Sequence, residues 1–280
     1  MKTGILLLLI ALSGTALHAH PGIGLVMDSR GNVFYTDLTH VWKINPLTGE
    51  KSVAVRNVHT HELYLDAQDN LYGENLRYEG ERTNTWNHRV WCLRPDGTRV
   101  TIIPATEGFL TNYSFVRDKT GTMYWADRNV IRKRLPDGTI RVHAQGPFTG
   151  IGWLTCTPDG IIYLTDGPAV KQILPDGRVQ TLARNLRENR QAQLPTGGPP
   201  ALMGLSYDLS GNVYVACFGA GMVQKINSAG QVTVVAQSKH PWSPAGVLAD
   251  KTGNLWLLEY STANQARVRR IYPDGSDKVY

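Results

Sequence analysis

His59 and His61 stand two residues apart, so in an extended strand both imidazoles share one face while Glu62 points to the other. Zinc takes imidazole nitrogens and keeps an open position when it is catalytic, and a hard cation such as calcium takes carboxylate oxygens. His59, His61 and Glu62 are thus the candidate ligands of a divalent metal, Ca or Zn, with ordinary loop histidines as the alternative. His20 and His240 precede the first and last of the repeats described below and can reach the same region. A second stretch, from Glu74 and Asn75 through Glu79 and Trp86 to Arg89, interleaves aromatic, amide and charged groups without an apolar face. That mixture suits a stacking and hydrogen-bonding wall for a sugar or peptide, and equally a solvated loop. The chain holds no phosphate-binding glycine loop, no G-x-S-x-G elbow and no HExxH, which points away from ATP chemistry and serine hydrolysis.

The elements that position these residues are set by a repeat. A phrase of apolar residues, usually an Asp, then Gly-Asn-apolar-aromatic recurs six times, anchored at positions 31, 69, 121, 160, 211 and 253. After each copy comes a short alternating strand, a Pro-Asp-Gly-like turn and another strand; four of these turns are literal, ending at Gly97, Gly138, Gly177 and Gly275. Proline presets one corner of such a turn and glycine supplies the positive φ of the other. Each unit of roughly 40 residues therefore makes four antiparallel strands, a sheet that cannot bury both faces alone. The expected fold class is all-β, a six-bladed β-propeller with four antiparallel strands per blade.

Labelling strands A to D from the axis outward puts the A–B and C–D turns on one face. The starts of strand A, the ends of strand B and the B–C and D–A connections lie on the other. Two long connections, Gly73 to Arg89 in blade 2 and Ala183 to Leu202 between blades 4 and 5, both fall on that second face, which marks it as the working one. Strand A starts fall at Ile23, His61, Tyr113, Gly152, Met203 and Ala245, and strand B ends at Asp37, Asn75, Asp127, Asp166, Cys217 and Glu259. The candidate ligand-binding residues at the channel mouth are His61, Glu62, Glu74, Asn75, Tyr113, Trp153 and Glu259, joined by Trp86 and Glu79 of the wall. Asp37, Asp127 and Asp166 belong to the repeat and are expected to bond neighbouring amides. Cys217 is a nucleophile if a base adjoins it and a small apolar residue otherwise.

These phrases resemble the NHL-type repeat and the six-bladed propellers of the gluconolactonase (senescence marker protein) class over residues 22–280. The resemblance implies the propeller, and in the lactonases a divalent cation held by Glu, Asn and Asp at strand A starts; here that inner ring has no carboxylate. The similar peptide-amidating lyases imply zinc held by histidines at strand starts, a place only His61 fills. The streptogramin lyases imply a His and Glu pair, which Glu259 meets and its strand A partner Ala245 does not.

The formal charge of +6 is spread singly rather than in blocks, so no nucleic-acid partner is indicated. Residues 1–19 read as a secretory signal peptide, with Lys2, a short apolar run and Leu17-His18-Ala19 before a cleavage point. The propeller then spans 20–280, without a membrane span, as a secreted or periplasmic monomer. Three cysteines do not make a disulfide framework. Two functions follow: an exported propeller binding a small molecule or peptide at the mouth, or a metal-dependent lactonase, hydrolase or lyase using the same mouth. Blades 1 and 6 are expected to meet by side-chain packing alone.

Overall fold

A computed structural model describes residues 21–78, 86–107, 115–186 and 202–280. Residues 1–19, expected to be a signal peptide, Tyr113 and Glu79, and the side chain of Trp86, lie outside the described residues. Blade 1 holds β1 (Leu25–Met27), β2 (Val33–Thr36), β3 (His40–Ile44) and β4 (Lys51–Arg56). Blade 2 holds β5 (Leu63–Leu65), β6 (Leu71–Tyr78), β7 (Trp86–Leu93) and β8 (Arg99–Glu107), and blade 3 β9 (Phe115–Arg117), β10 (Met123–Asp127), β11 (Val130–Arg134) and β12 (Ile140–Gln145). Blade 4 holds β13 (Ile151–Cys156), β14 (Ile162–Asp166), β15 (Ala169–Ile173) and β16 (Val179–Ala183). Blade 5 holds β17 (Leu202–Tyr207), β18 (Val213–Cys217), β19 (Met222–Ile226) and β20 (Val232–Gln237). Blade 6 closes the chain with β21 (Trp242–Ala249), β22 (Leu255–Ser261), β23 (Ala266–Ile271) and β24 (Asp277–Val279). All six are antiparallel four-stranded sheets in sequential order, a six-bladed β-propeller.

The recurring phrase is a clamp on the A–B turn. Asp28 accepts the backbone N–H of Arg30 at 3.0 Å and of Asn32 at 2.7 Å, and its other oxygen accepts Asn32 Nδ2 at 2.7 Å. Asp66, Asp208 and Asp250 hold Asn70, Asn212 and Asn254 in the same way. The aromatic two residues beyond the asparagine bonds back to the same aspartate from Tyr72, Tyr214 and Trp256. Glycine stands where the turn needs positive φ, and in blade 2 Asp69 takes that conformation at φ 60°. Its side chain accepts Ser29 N–H from blade 1 at 2.9 Å, so these turns stand side by side on one face.

Two expectations are corrected. Gly73 to Arg89 is not a connection: β6 and β7 stay paired from Leu71↔Leu93 to Tyr78↔Trp86, so blade 2 carries an elongated hairpin. The seam between blades 6 and 1 is not held by side-chain packing alone, because Tyr260 Oη donates to the Thr36 carbonyl at 3.0 Å. Gly246 also lies so near the Ile23 carbonyl that a Cβ would overlap it. One apolar cluster runs through this seam, joining Met203 and Phe218 of blade 5, Trp256 and Leu257 of blade 6, and Ile23, Leu25 and Tyr35 of blade 1. Among the described residues no strand is exchanged to latch the ring. Among the described residues, no helix is long and apolar enough to cross a membrane.

Tyr260 is 2% exposed, so removing its hydroxyl leaves the Thr36 carbonyl buried with one fewer donor. Tyr260→Phe is expected to cost about 1–2 kcal/mol and to lower the melting temperature by roughly 2–8 °C, read from calorimetric melts. An unchanged melt would show that the seam does not depend on this bond.

Candidate functional site

Residues His59 to Glu62 lead into β5 and pair with the axial end of β6. Asn75 Oδ1 accepts His59 N–H at 3.0 Å, and Leu76 N–H donates to the His59 carbonyl at 3.1 Å. The His61 carbonyl accepts the N–H groups of Ile23 and Gly24 at 2.8 Å each, which fixes blade 2 against blade 1. The Glu74 carbonyl accepts Trp91 Nε1 at 2.9 Å and the Thr60 hydroxyl. Gly73 is required here, because a Cβ would overlap the Trp91 ring.

This backbone frame brings ionisable side chains together. His61 N–H donates to Glu74 Oε1 at 2.6 Å, and His61 Nδ1 lies 3.4 Å from the same oxygen. His59 Nε2 and His61 Nε2 are 3.3 Å apart, one ring donating and the other accepting according to tautomer. Glu74 is 0% exposed, His61 2% and His88 4%, whereas His59 is only half-buried. Across the axis, the Trp153 ring of blade 4 lies 6.2 Å from the His61 ring, centroid to centroid. Trp153 reaches it from a bulge in β13, where Gly152 faces Thr165 and Thr165 Oγ1 accepts Trp153 N–H at 2.9 Å.

Burial sets the protonation of this array. It pushes the Glu74 carboxyl from 4.5 up to about 8, against the pull of N–H bonds from His61 and Glu62. Burial also holds the His61 imidazole down at about 4, and lowers His88, whose second cause is His61 itself. At neutral pH the carboxyl is therefore largely protonated and the imidazole neutral, the reverse of the usual ion pair. Glu74 Oε2 has no hydrogen-bond partner among the described residues, which a neutral carboxyl tolerates better than an anion.

The other candidates stand apart from the array. Glu259 is 0% exposed, and its carboxylate is occupied by Arg267 Nε at 2.7 Å and Arg269 Nε at 3.0 Å of blade 6 and by Ser238 Oγ at 2.6 Å from the link between blades 5 and 6. Asp37 accepts the N–H groups of Thr39 and His40, and Asp166 those of Thr149 and Gly150 with a 2.5 Å ion pair to Lys171. Asp127 pairs with Arg132. Cys217 is buried in an apolar cluster with Val215 and Ile226, and its thiol donates to Gln224 Oε1 at 3.5 Å. Glu62 is buried beside the array, with its backbone N–H toward Glu74. Among the described residues no three His, Cys, Asp or Glu side chains gather as they would around a metal ion. A cavity of 360 Å³ lies away from the axis between blades 4 and 5, lined by Arg184, Leu186, Gln224 and Val234. His88 escaped sequence reasoning because it faces Leu76 in a hairpin that read as a loop.

The geometry can be set beside known proteins. No family model matches the chain, and no curated protein does. A gluconolactonase from Xanthomonas campestris is 15% identical over 86% of this chain and 83% of its own, with a TM-score of 0.62. Virginiamycin B lyase from Staphylococcus aureus is 13% identical over 93% and 84%, with a TM-score of 0.58. An auxiliary nutrient binding protein from Bacteroides ovatus is 10% identical over 93% and 69%, with a TM-score of 0.64. The chain shares their propeller fold. At such identities the likeness shows fold alone, and the three neighbours are a lactonase, a lyase and a binding protein.

The paired protonation shifts give a pH signature. Glu74, raised from 4.5 to about 8, holds a proton in the folded chain that the unfolded chain has released, so stability falls as pH rises through that window. His61, lowered from 6.5 to about 4, acts oppositely, and stability falls as pH drops from 6.5 toward 4. The two oppose each other below 6.5, leaving Glu74 alone between about 6.5 and 8. Denaturant melts are expected to show stability declining across that interval in the wild type and staying flatter in Glu74→Gln. Equal slopes in both proteins would contradict the buried neutral carboxyl.

Proposed function

We propose that this propeller is an exported protein that binds a small polar molecule or a peptide at its axial opening, against blade 2. The observation that carries this reading is the pairing of a buried hydrogen-bonding floor, Glu74 and His61, with an aromatic wall, Trp153, across the axis. Binding sites are commonly apolar surfaces with a few convergent polar groups, and this is the place where the two meet. Half-buried His59 and Asn75 add polar groups at the same edge. Export rests on the leader-like residues 1–19. The protein would then meet its ligand outside the cytoplasm.

A second reading, a lactonase, hydrolase or lyase at the same opening, is favoured by one observation, the contact of the Glu74 carboxyl with an imidazole that in turn contacts a second. Metal analysis of purified protein separates the metal-dependent form of that reading. One zinc or calcium per chain, lost on His61→Ala, supports it; ligand binding by metal-free protein supports the first reading.

Calorimetric titration with a panel of sugars and short peptides tests the binding site. Trp153→Ala is expected to weaken any ligand found by about tenfold, the equivalent of ~1.4 kcal/mol, while Leu209→Ala, on the turn at the opposite face, leaves it unchanged. Equal affinity of Trp153→Ala and wild type would place the ligand elsewhere.

A further inference from the structure

We propose that Arg267 of blade 6 is a receptor for the carboxylate of a ligand. This binding point is separate from the blade 2 array and does not depend on it. Its place in the ring follows from the repeat. Glu259 stands six residues beyond the anchor at 253, as Asn75 stands six beyond the anchor at 69, so both mark the same axial end of the propeller. The pairing Pro244↔Glu259 and Glu259↔Arg267 carries that level outward across blade 6. Strand alternation then sets Arg269 on the same face as Arg267.

The two arginines share the fully buried Glu259 carboxylate but differ in what remains to them. Arg269 is spent: its Nε bonds to Glu259, its Nη1 donates to Asp277 at 3.0 Å and its Nη2 to the Gln237 carbonyl at 2.8 Å. Arg267 is engaged only through Nε, at 2.7 Å from Glu259 Oε2. Its two Nη groups meet no acceptor among the described residues, and 22% of the side chain is exposed. The guanidinium carbon lies 4.0 Å over the Trp242 ring. That ring is carried by a turn in which Trp242 N–H donates to the Lys239 carbonyl at 3.0 Å. Bonded at one edge and covered on one face, the guanidinium is fixed in orientation with its outer N–H groups unspent.

The charges of the network cancel on paper, yet both carboxylates are already used, Glu259 in the interior and Asp277 on Arg269. What faces solvent at this edge is guanidinium. The stretch from Gln237 to Ala249, which supplies Trp242 and the exposed Lys239, contains no Asp or Glu. A carboxylate offers two oxygens at the spacing of the two outer N–H groups of a guanidinium, a match that an ammonium does not make. Because Arg267 is already ordered, a ligand loses little free energy in immobilising it. The ligand class is thus a molecule with a free carboxylate, either the chain end of a peptide or an acidic sugar.

Side-chain ¹H–¹⁵N spectra of the full-length protein test this with four probes: acetyl-alanyl-alanine, its C-terminal amide, glucuronate and glucose. The Arg267 Nε–H and Trp242 indole signals are expected to shift to saturation with one or both acids and to stay unmoved by the amide and by glucose. A response to the peptide acid alone identifies a peptide chain end, and a response to glucuronate alone an acidic sugar. No saturable shift with either acid, or the same shift with the neutral partners, overturns the proposal. So does an equal shift at Arg178, which is exposed on a turn of the opposite face. Arg267→Lys keeps the charge beside Glu259 but loses the fork, and is expected to weaken binding about tenfold; an unchanged affinity overturns the proposal. If that variant does not fold, the comparison of acids with their neutral partners in the wild type decides.

Discussion

Removing the Glu74 carboxyl from water is the constraint on which the rest of the site depends. An ionised carboxylate in that position has backbone N–H donors, His61 at 2.6 Å on Oε1 among them, and on Oε2 no partner among the described residues, too little to replace its hydration. The group answers by keeping its proton. Once it is neutral, the imidazole beside it has no anion to pair with and, buried itself, also stays neutral. Glu74 and His61 are thus polar yet uncharged at neutral pH, which favours a ligand group that hydrogen-bonds to them without a formal charge.

The blade supplies that environment through close packing rather than through special chemistry. Gly73 lets the Trp91 ring lie against β6, and Trp91 in turn donates to the Glu74 carbonyl. Ile23 and Gly24 clamp the His61 carbonyl from blade 1, and the bulged β13 sends Trp153 over from blade 4. Three blades therefore contribute to one array. Further round the ring, Gly246 sits against the Ile23 carbonyl and Gly204 against that of Ala245, so the backbones of blades 5, 6 and 1 approach closely.

What was legible in the chain follows the same division. The blades, their order and their polarity could be read, because the clamp on each A–B turn uses fixed residue types at fixed spacing: Asp28 with Asn32 in blade 1, and Asp250, Asn254 and Trp256 in blade 6. The shared face of His59 and His61 was legible from strand alternation. The extension of β6 and β7 was not, since polar and aromatic residues such as Arg77 and Asn87 pair across a hairpin without leaving an apolar signature. Glu259 broke the repeat and so looked available, yet Arg267 and Arg269, eight and ten residues later, engage it across neighbouring strands. Departure from a repeat marks a changed role without saying whether the new partner is a ligand or an arginine of the same blade.

Carboxyl ¹³C chemical shifts of Glu74, followed from pH 5 to pH 9 in the folded protein, bear on this most directly. The expected midpoint is near 8, with the signal of a protonated carboxyl throughout the neutral range. A midpoint near the ordinary 4.5 would mean that the carboxylate is solvated or paired, and that the neutral array at the axial opening does not exist.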